Sequence, residues 1–287
     1  MSSESNEKGD SRLKGLSGEE KGGSGKPKPY QVGLRPAPSL LRPHCRAQDR
    51  LILWKPIKVR SRMIGLSDKA LSEIVWVMGK AWAPGTLSMY GSGLLLFHMF
   101  CNEQNIEDSA KCPANPTLLL AFVVACSGCY SGSTIANSLY GIWAWHLLHG
   151  TKWAPSKDEM AAVLTGATRL TPASSKRALR EPWTVDMMVR ICWVLDPESH
   201  FDIAWYAVLT TIFWAMACSM EFLVQGINDF KEDKHITREG VSIETNEDSQ
   251  VMVFASPWTK VSPRGERVFW GRQEGLVNPY AALITHI

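Results

Sequence analysis

The chain reads as a mainly α-helical protein with one small antiparallel sheet near its carboxy-terminal end. Three observations carry that reading. Apolar residues recur at spacings of three and four between Ser67 and Leu195, no convincing alternating run appears in that stretch, and three short alternating runs follow beyond residue 240. At 45% hydrophobic and 21% charged over 287 residues, the composition supports one large domain or two ordinary ones and excludes a wholly disordered or collagen-like chain.

The elements are justified in order. Residues 1–62 carry 14 Lys+Arg against 6 Asp+Glu, a net +8, while the remaining 225 hold 17 basic and 22 acidic side chains. The early part is Ser-, Gly- and Lys-rich and poor in large apolar groups, so 1–66 is expected to be a disordered basic leader. It offers either a basic arm for nucleic acid or a solvated tail. No apolar signal segment opens the chain and its seven cysteines are an odd count, so reduced thiols in the nucleus or cytoplasm are expected rather than a secreted disulfide scaffold.

From Ser67 the run GLSDKALSEIVWVMGKAW gives an amphipathic helix that stops before Pro84. A second helix starts near Thr86, with Leu87, Tyr90, Leu94, Phe97 and Cys101 on one face. Gly91 and Gly93 weaken it by about 1 kcal/mol each relative to Ala unless close packing uses the missing side chains. After Pro113 and Pro116 come an apolar helix over 117–129 and another over 134–149. Ser156 with Glu159 forms a capping box that opens a helix through Ala167. Together 67–170 is predicted to be a helical domain, and TPASSKRALREPWT, with two prolines and three cations, a basic linker centred on 171–182.

In 183–287 a helix is predicted over 184–195. The uncharged run IAWYAVLTTIFWAMACSM between Asp202 and Glu221 is just long enough to test as a membrane span. Central Thr210 and Thr211, acidic flanks and the lack of a Lys/Arg cluster argue instead for a helix buried on most faces of a domain. VSIET, VMVFAS and ERVFW then alternate as strands, and NPYAALITHI begins another helix in a chain that looks cut rather than finished.

This order of elements resembles the tyrosine recombinases, phage-integrase-like DNA breaking-rejoining enzymes, and most closely those carried by fungal mobile elements. TLSMYGSGLLLFHMFC is similar to the family's opening T-x3-Y-x6-F helix and YSGSTIANSLYGIWAWH to its later core-binding helix. REPWT resembles the start of the catalytic domain, FWAMACSMEF the box around the first catalytic arginine, and PWTKVSPRGE the hairpin with the catalytic lysine. The resemblance spans about 67–287 and implies a SAM-like helical core-binding domain followed by a partial α+β catalytic domain.

The family's chemistry uses a tyrosine that attacks the scissile phosphate and cationic groups that stabilise charge on its oxygens. The resemblance assigns the hairpin lysine to Lys260 and a vestigial acidic position to Glu221, but Cys218 replaces the arginine. A thiol cannot supply bidentate cationic contacts to phosphate. A His/Lys-x2-Arg box and the nucleophilic tyrosine would lie beyond Ile287, and Tyr280 reads as a packing residue. The expected protein is therefore a catalytically inactive, truncated relative that binds double-stranded DNA weakly through phosphates, with no cofactor.

Candidate DNA contacts are Lys176, Arg177 and Arg180 in the linker, with Arg264 in the hairpin. Ser131, Ser133 and Thr134 stand at a helix start, where they form either a phosphate cradle or an ordinary cap, and Asn137 follows on that helix. The alternatives are a non-functional mobile-element fragment, a helical interaction module or, less favoured, a zinc module on Cys126-x2-Cys129 and His146-x2-His149. Both histidines lie in the apolar run YGIWAWHLLHG and Cys126 ends an apolar run, so buried thiols and satisfied histidines are the expectation and no metal is assigned. Most of the twelve tryptophans likewise sit in apolar periodic runs and are expected in the core.

Overall fold

The computed structural model of the chain describes residues 30, 33–57, 66–176, 178–224, 226, 228–246 and 249–286. They form two compact units, the first ending at Ala178 and the second starting at Leu179, within the 171–182 segment. The fold is mainly helical, with one three-stranded antiparallel sheet.

In the first unit the helices are α1 (Arg50–Leu53), α2 (Asp68–Gly79), α3 (Pro84–Glu103), α4 (Asp108–Lys111), α5 (Pro116–Cys126), α6 (Gly132–Leu148) and α7 (Lys157–Arg169). Their starts follow local chemistry. Pro84 and Pro116 occupy the first helical position, where the missing N–H is no loss. Asn115, Ser131 and Ser156 cap α5, α6 and α7 by accepting from Thr117, Thr134 and Glu159 N–H. Leu94, Phe97 and Cys101 of α3 are fully buried, as their spacing predicts, and pack with Phe122 of α5 and Ile142 and Trp145 of α6 in one core.

The glycines of α3 have a packing reason. A Cβ on Gly93 would lie 2.4 Å from Ser138 Cα, and one on Gly141 would lie 2.4 Å from the Tyr90 carbonyl oxygen, so the missing side chains let α3 and α6 meet backbone to backbone. Gly93→Ala is expected to destabilise by about 1–3 kcal/mol through overpacking. Gly166→Ala on exposed α7, where a Cβ meets nothing, is expected to stabilise by about 0.5–1 kcal/mol. Urea unfolding of both variants measures the contrast.

The basic leader needs correction. Residues 34–57 are ordered against the helical core, with Leu51 and Trp54 completely buried and α1 preceded by a 3₁₀ turn at Ala47–Asp49. The Trp54 indole N–H donates to the Pro43 carbonyl at 3.0 Å, and the Trp145 indole N–H donates to the Trp54 carbonyl at 2.6 Å. His149 Nε2 bonds the Leu51 carbonyl at 3.0 Å. Net charge over 62 residues concealed a short apolar run, LILW, whose Leu51 and Trp54 share a helical face. Buried Arg50 lies over the Tyr30 and Trp54 rings and donates to the Gly91 carbonyl. The expectation for 1–29, 31–32 and 58–65 lies outside the described residues.

In the second unit, α8 (Val185–Val194), capped by Thr184, is followed by α9 (His200–Ala215) and α10 (Ser219–Phe222). Strands β1 (Val241–Asn246), β2 (Ser249–Ser256) and β3 (Glu266–Gly271) pair in sequence order, with Met252 opposite both Ile243 and Trp270. Helix α11 (Pro279–His286) closes the unit, and Ala207, Met252, Phe254, Trp270 and Leu283 form its core. The Tyr206 hydroxyl and the Trp214 indole N–H donate to the Leu276 and Val277 carbonyls, holding the chain before α11 against α9.

The long apolar run departs from its expectation twice. The helix ends at Met216, which adopts a left-handed φ of +50°, and the chain restarts as α10. It is also not buried on most faces: only Ala207, Thr210 and Thr211 of α9 are buried, while Phe201 is 75% and Trp205 41% exposed. The reason is architectural, because sheet and α11 cover one side of α9, and the other side lines an apolar groove with Trp183 and Met188. Trp193, 75% exposed on α8, is likewise outside the core.

Candidate functional site

Each unit carries its own part of the predicted site. In the second, Lys260 and Arg264 stand exposed on the β2–β3 loop. The loop is shaped by local bonds: Thr259 N–H donates to the Ser262 carbonyl at 3.0 Å, and Ser262 N–H donates to Thr259 Oγ1 at 3.0 Å. The Ser262 hydroxyl donates to the Gly265 carbonyl at 2.8 Å. Gly265 has a φ of +85°, and a Cβ there would meet the Ser256 carbonyl oxygen at 2.6 Å, so only glycine closes this turn without strain. Lys234 Nζ sits 5.5 Å from the Trp258 ring, adding a third cation beside the loop.

Cys218 is exposed at the cap position of α10, and its carbonyl accepts from the Glu221 N–H at 3.0 Å. Glu221 is half-buried. Among the described residues no side-chain hydrogen bond or ion pair joins Cys218, Glu221 and Lys260. Cys218 brings a thiol where the family resemblance calls for a fixed fork of cationic donors. Tyr280 packs partly buried against the core of this unit, with the Arg272 guanidinium 6.0 Å from its ring.

In the first unit Ser131, Ser133 and Thr134 come together at the start of α6. Ser131 Oγ accepts from Thr134 N–H at 3.2 Å and lies 3.0 Å from Ser133 Oγ and 2.8 Å from Thr134 Oγ1. The Gly132 N–H donates to Thr171 Oγ1 at 3.2 Å. Of the two readings of this helix start, the cap therefore takes up the Gly132 and Thr134 donors that a phosphate would use. The same bond ties the start of the basic segment to α6, five residues before exposed Lys176. Asn137 is half-buried one turn beyond Ser133. Arg180 is exposed in the second unit, and Arg177 lies outside the described residues.

The zinc alternative fails on the histidines. His146 Nε2 accepts from Ala114 N–H at 2.9 Å, so Nδ1 carries the proton and donates to the Ile142 carbonyl at 2.8 Å. His149 Nε2 is occupied by Leu51. Cys126 is buried, which pushes its thiol up to about 12, whereas Cys129 is exposed. Among the described residues no group of His, Cys, Asp or Glu is arranged to hold a metal ion.

Two features escape local spacing. His98 is almost completely buried between Trp54, Phe97 and Trp145, with ring centroids 5.2–5.9 Å apart, and neither ring nitrogen has a hydrogen-bond partner among the described residues. Burial first, then the Arg42 and Lys111 charges, hold it well below the ordinary histidine range. Beside it, Arg42 Nη1 and Lys111 Nζ both donate to Asp108 Oδ1, at 2.8 and 2.7 Å, and Lys111 also donates to Asn102. Burial opposes ionisation of Asp108, but the hydrogen bonds and charges of Lys111 and Arg42 outweigh it and hold the carboxyl below its usual range. Arg42 and Asp108 are 66 residues apart, so no local motif signals their pairing.

No protein-family model matches the chain, and no curated protein matches it. Among the described residues no helix is long and apolar enough to cross a membrane.

Proposed function

We propose that the chain is a member of the tyrosine-recombinase lineage that binds double-stranded DNA without cutting it, its SAM-like helical unit serving as the core-binding domain. The observation that carries the reading is the order of elements: a helical unit, a segment with exposed Lys176 and Arg180, three helices, then a three-stranded sheet whose β2–β3 loop presents Lys260 and Arg264. Cys218, three residues before Glu221, argues against strand cleavage, because a thiol offers no bidentate cationic grip on a phosphate in the transition state.

The phosphate-driven reading gives a measurable salt dependence. With about three to five phosphate contacts, log affinity for a duplex should fall with log salt at roughly −0.9 per contact. Replacing Lys176, Arg177 and Arg180 together by Ala should flatten that slope by about 2–3 units. Unchanged binding and slope would reduce the basic segment to a plain linker. In the same assay, nicked duplexes should yield no species that survives denaturation as a protein–DNA adduct; a reproducible one would overturn the inactive reading.

A further inference from the structure

We infer that a cleft in the first unit, built by the basic segment that precedes α1, is an anion site that takes a phosphate group. The cleft has a volume of about 650 Å³ and is lined by Tyr30, Arg35, Ser39, Arg42 and His44 among three prolines, with no acidic residue among the described residues of its wall. The prolines fix φ along the segment, so the backbone that frames the cleft is largely pre-set.

The charge balance behind the wall leaves a positive excess. The Arg42 side chain is only 5% exposed, and the Lys111 side chain only 3%. Both lean on the single oxygen Oδ1 of Asp108, so two buried cations share one carboxylate. Arg42 Nε is buried with no hydrogen-bond partner among the described residues. Arg50, also buried, has a backbone carbonyl and two aromatic faces as partners and no carboxylate among the described residues. Arg46 is neutralised by Asp49, whereas Arg35 stands exposed at the cleft with no ion pair among the described residues. An uncompensated charge in a poorly solvated place is costly, and a bound anion supplies the missing counter-charge. Guanidinium forks match the oxygens of phosphate, and the Ser39 hydroxyl, which accepts from Leu41 N–H, still has its own proton to donate.

This site is separate from the α6 start and the linker cations, and it does not rest on the recombinase reading. The shared chemistry is a phosphate group, free in solution or on a nucleic-acid backbone. The test titrates the full chain with inorganic phosphate by calorimetry, with ionic strength held constant by sodium chloride, and repeats it with Arg35→Ala and Arg42→Lys. Saturable binding is expected, weakened about tenfold in Arg35→Ala, with the melting temperature in chloride little changed because Arg35 is exposed and has no ion pair among the described residues. Arg42→Lys keeps the charge and loses the fork, and is expected to weaken binding at least as much. Displacement of phosphate by a short DNA duplex would assign the site to nucleic-acid phosphate, and binding that survives excess duplex would assign it to the free ion. No heat beyond chloride controls, or both variants titrating like the parent chain, would overturn the site.

Discussion

Trp54→Ala is expected to lower the stability of the helical unit by about 3–5 kcal/mol, the range for removing a fully buried tryptophan. The indole is completely buried, and its N–H satisfies the Pro43 carbonyl. Its loss leaves a cavity beside the unpartnered His98 ring and releases the contact that holds 34–57 in place. In urea the helical transition should shift to lower concentration by about 1 M or more, for an m-value of 1–3 kcal/mol per M. Trp193→Ala, at an exposed position in the other unit, should change stability by no more than about 0.5 kcal/mol. Equal effects of the two substitutions would mean that 34–57 does not belong to the core.

The second large effect is acid sensitivity. His98 is held well below the ordinary histidine range, and burial lowers His146 to about 4 against the opposing hydrogen bond to the Ile142 carbonyl. In the unfolded chain both titrate near 6.5, so between there and about pH 4 the unfolded state binds more protons than the folded one. Their neutral-state stability is present above 6.5 and is lost as pH falls, with a slope approaching about 1.4 kcal/mol per pH unit for each histidine. His98→Leu separates the two. Neither ring nitrogen of His98 has a partner among the described residues, so an apolar replacement should stabilise at neutral pH by about 1–3 kcal/mol and roughly halve the slope. Denaturant unfolding at pH 7, 6, 5 and 4.5 measures this, and a slope unchanged by His98→Leu would show that the ring is solvated.

The helices and strands were legible in the sequence where period and punctuation agreed. Leu94, Phe97 and Cys101 identified the buried face of α3, and the three alternating runs match β1, β2 and β3. Where an element's fate depends on distant partners, local pattern failed. LILW at 51–54 looked like part of a charged tail because its partners, Trp145 and His149, are more than ninety residues away. The apolar run from Ile203 looked central because hydrophobicity does not say how many neighbours arrive to cover it. For the candidate site, residue types at Lys176, Arg180, Lys260 and Arg264 were legible as exposed cations. The Arg42–Asp108–Lys111 cluster was not, since it is assembled by tertiary contact alone.

The bond from the Trp145 indole to the Trp54 carbonyl spans 91 residues, and that from His149 to Leu51 spans 98. During synthesis the segment around Trp54 emerges before Gly91 and His98 of α3, on which it packs, and its bonds to α6 cannot close until that helix has left the ribosome. At about 5–20 residues per second this interval lasts roughly 5–20 s. Until α3 follows, the nascent chain displays a bare tryptophan and three aliphatic side chains flanked by arginines and a lysine, a composition suited to holding chaperones and repelling its own copies. This early-made part of the helical unit is thus fully locked only when α6 arrives, and its positive charge guards it while it waits.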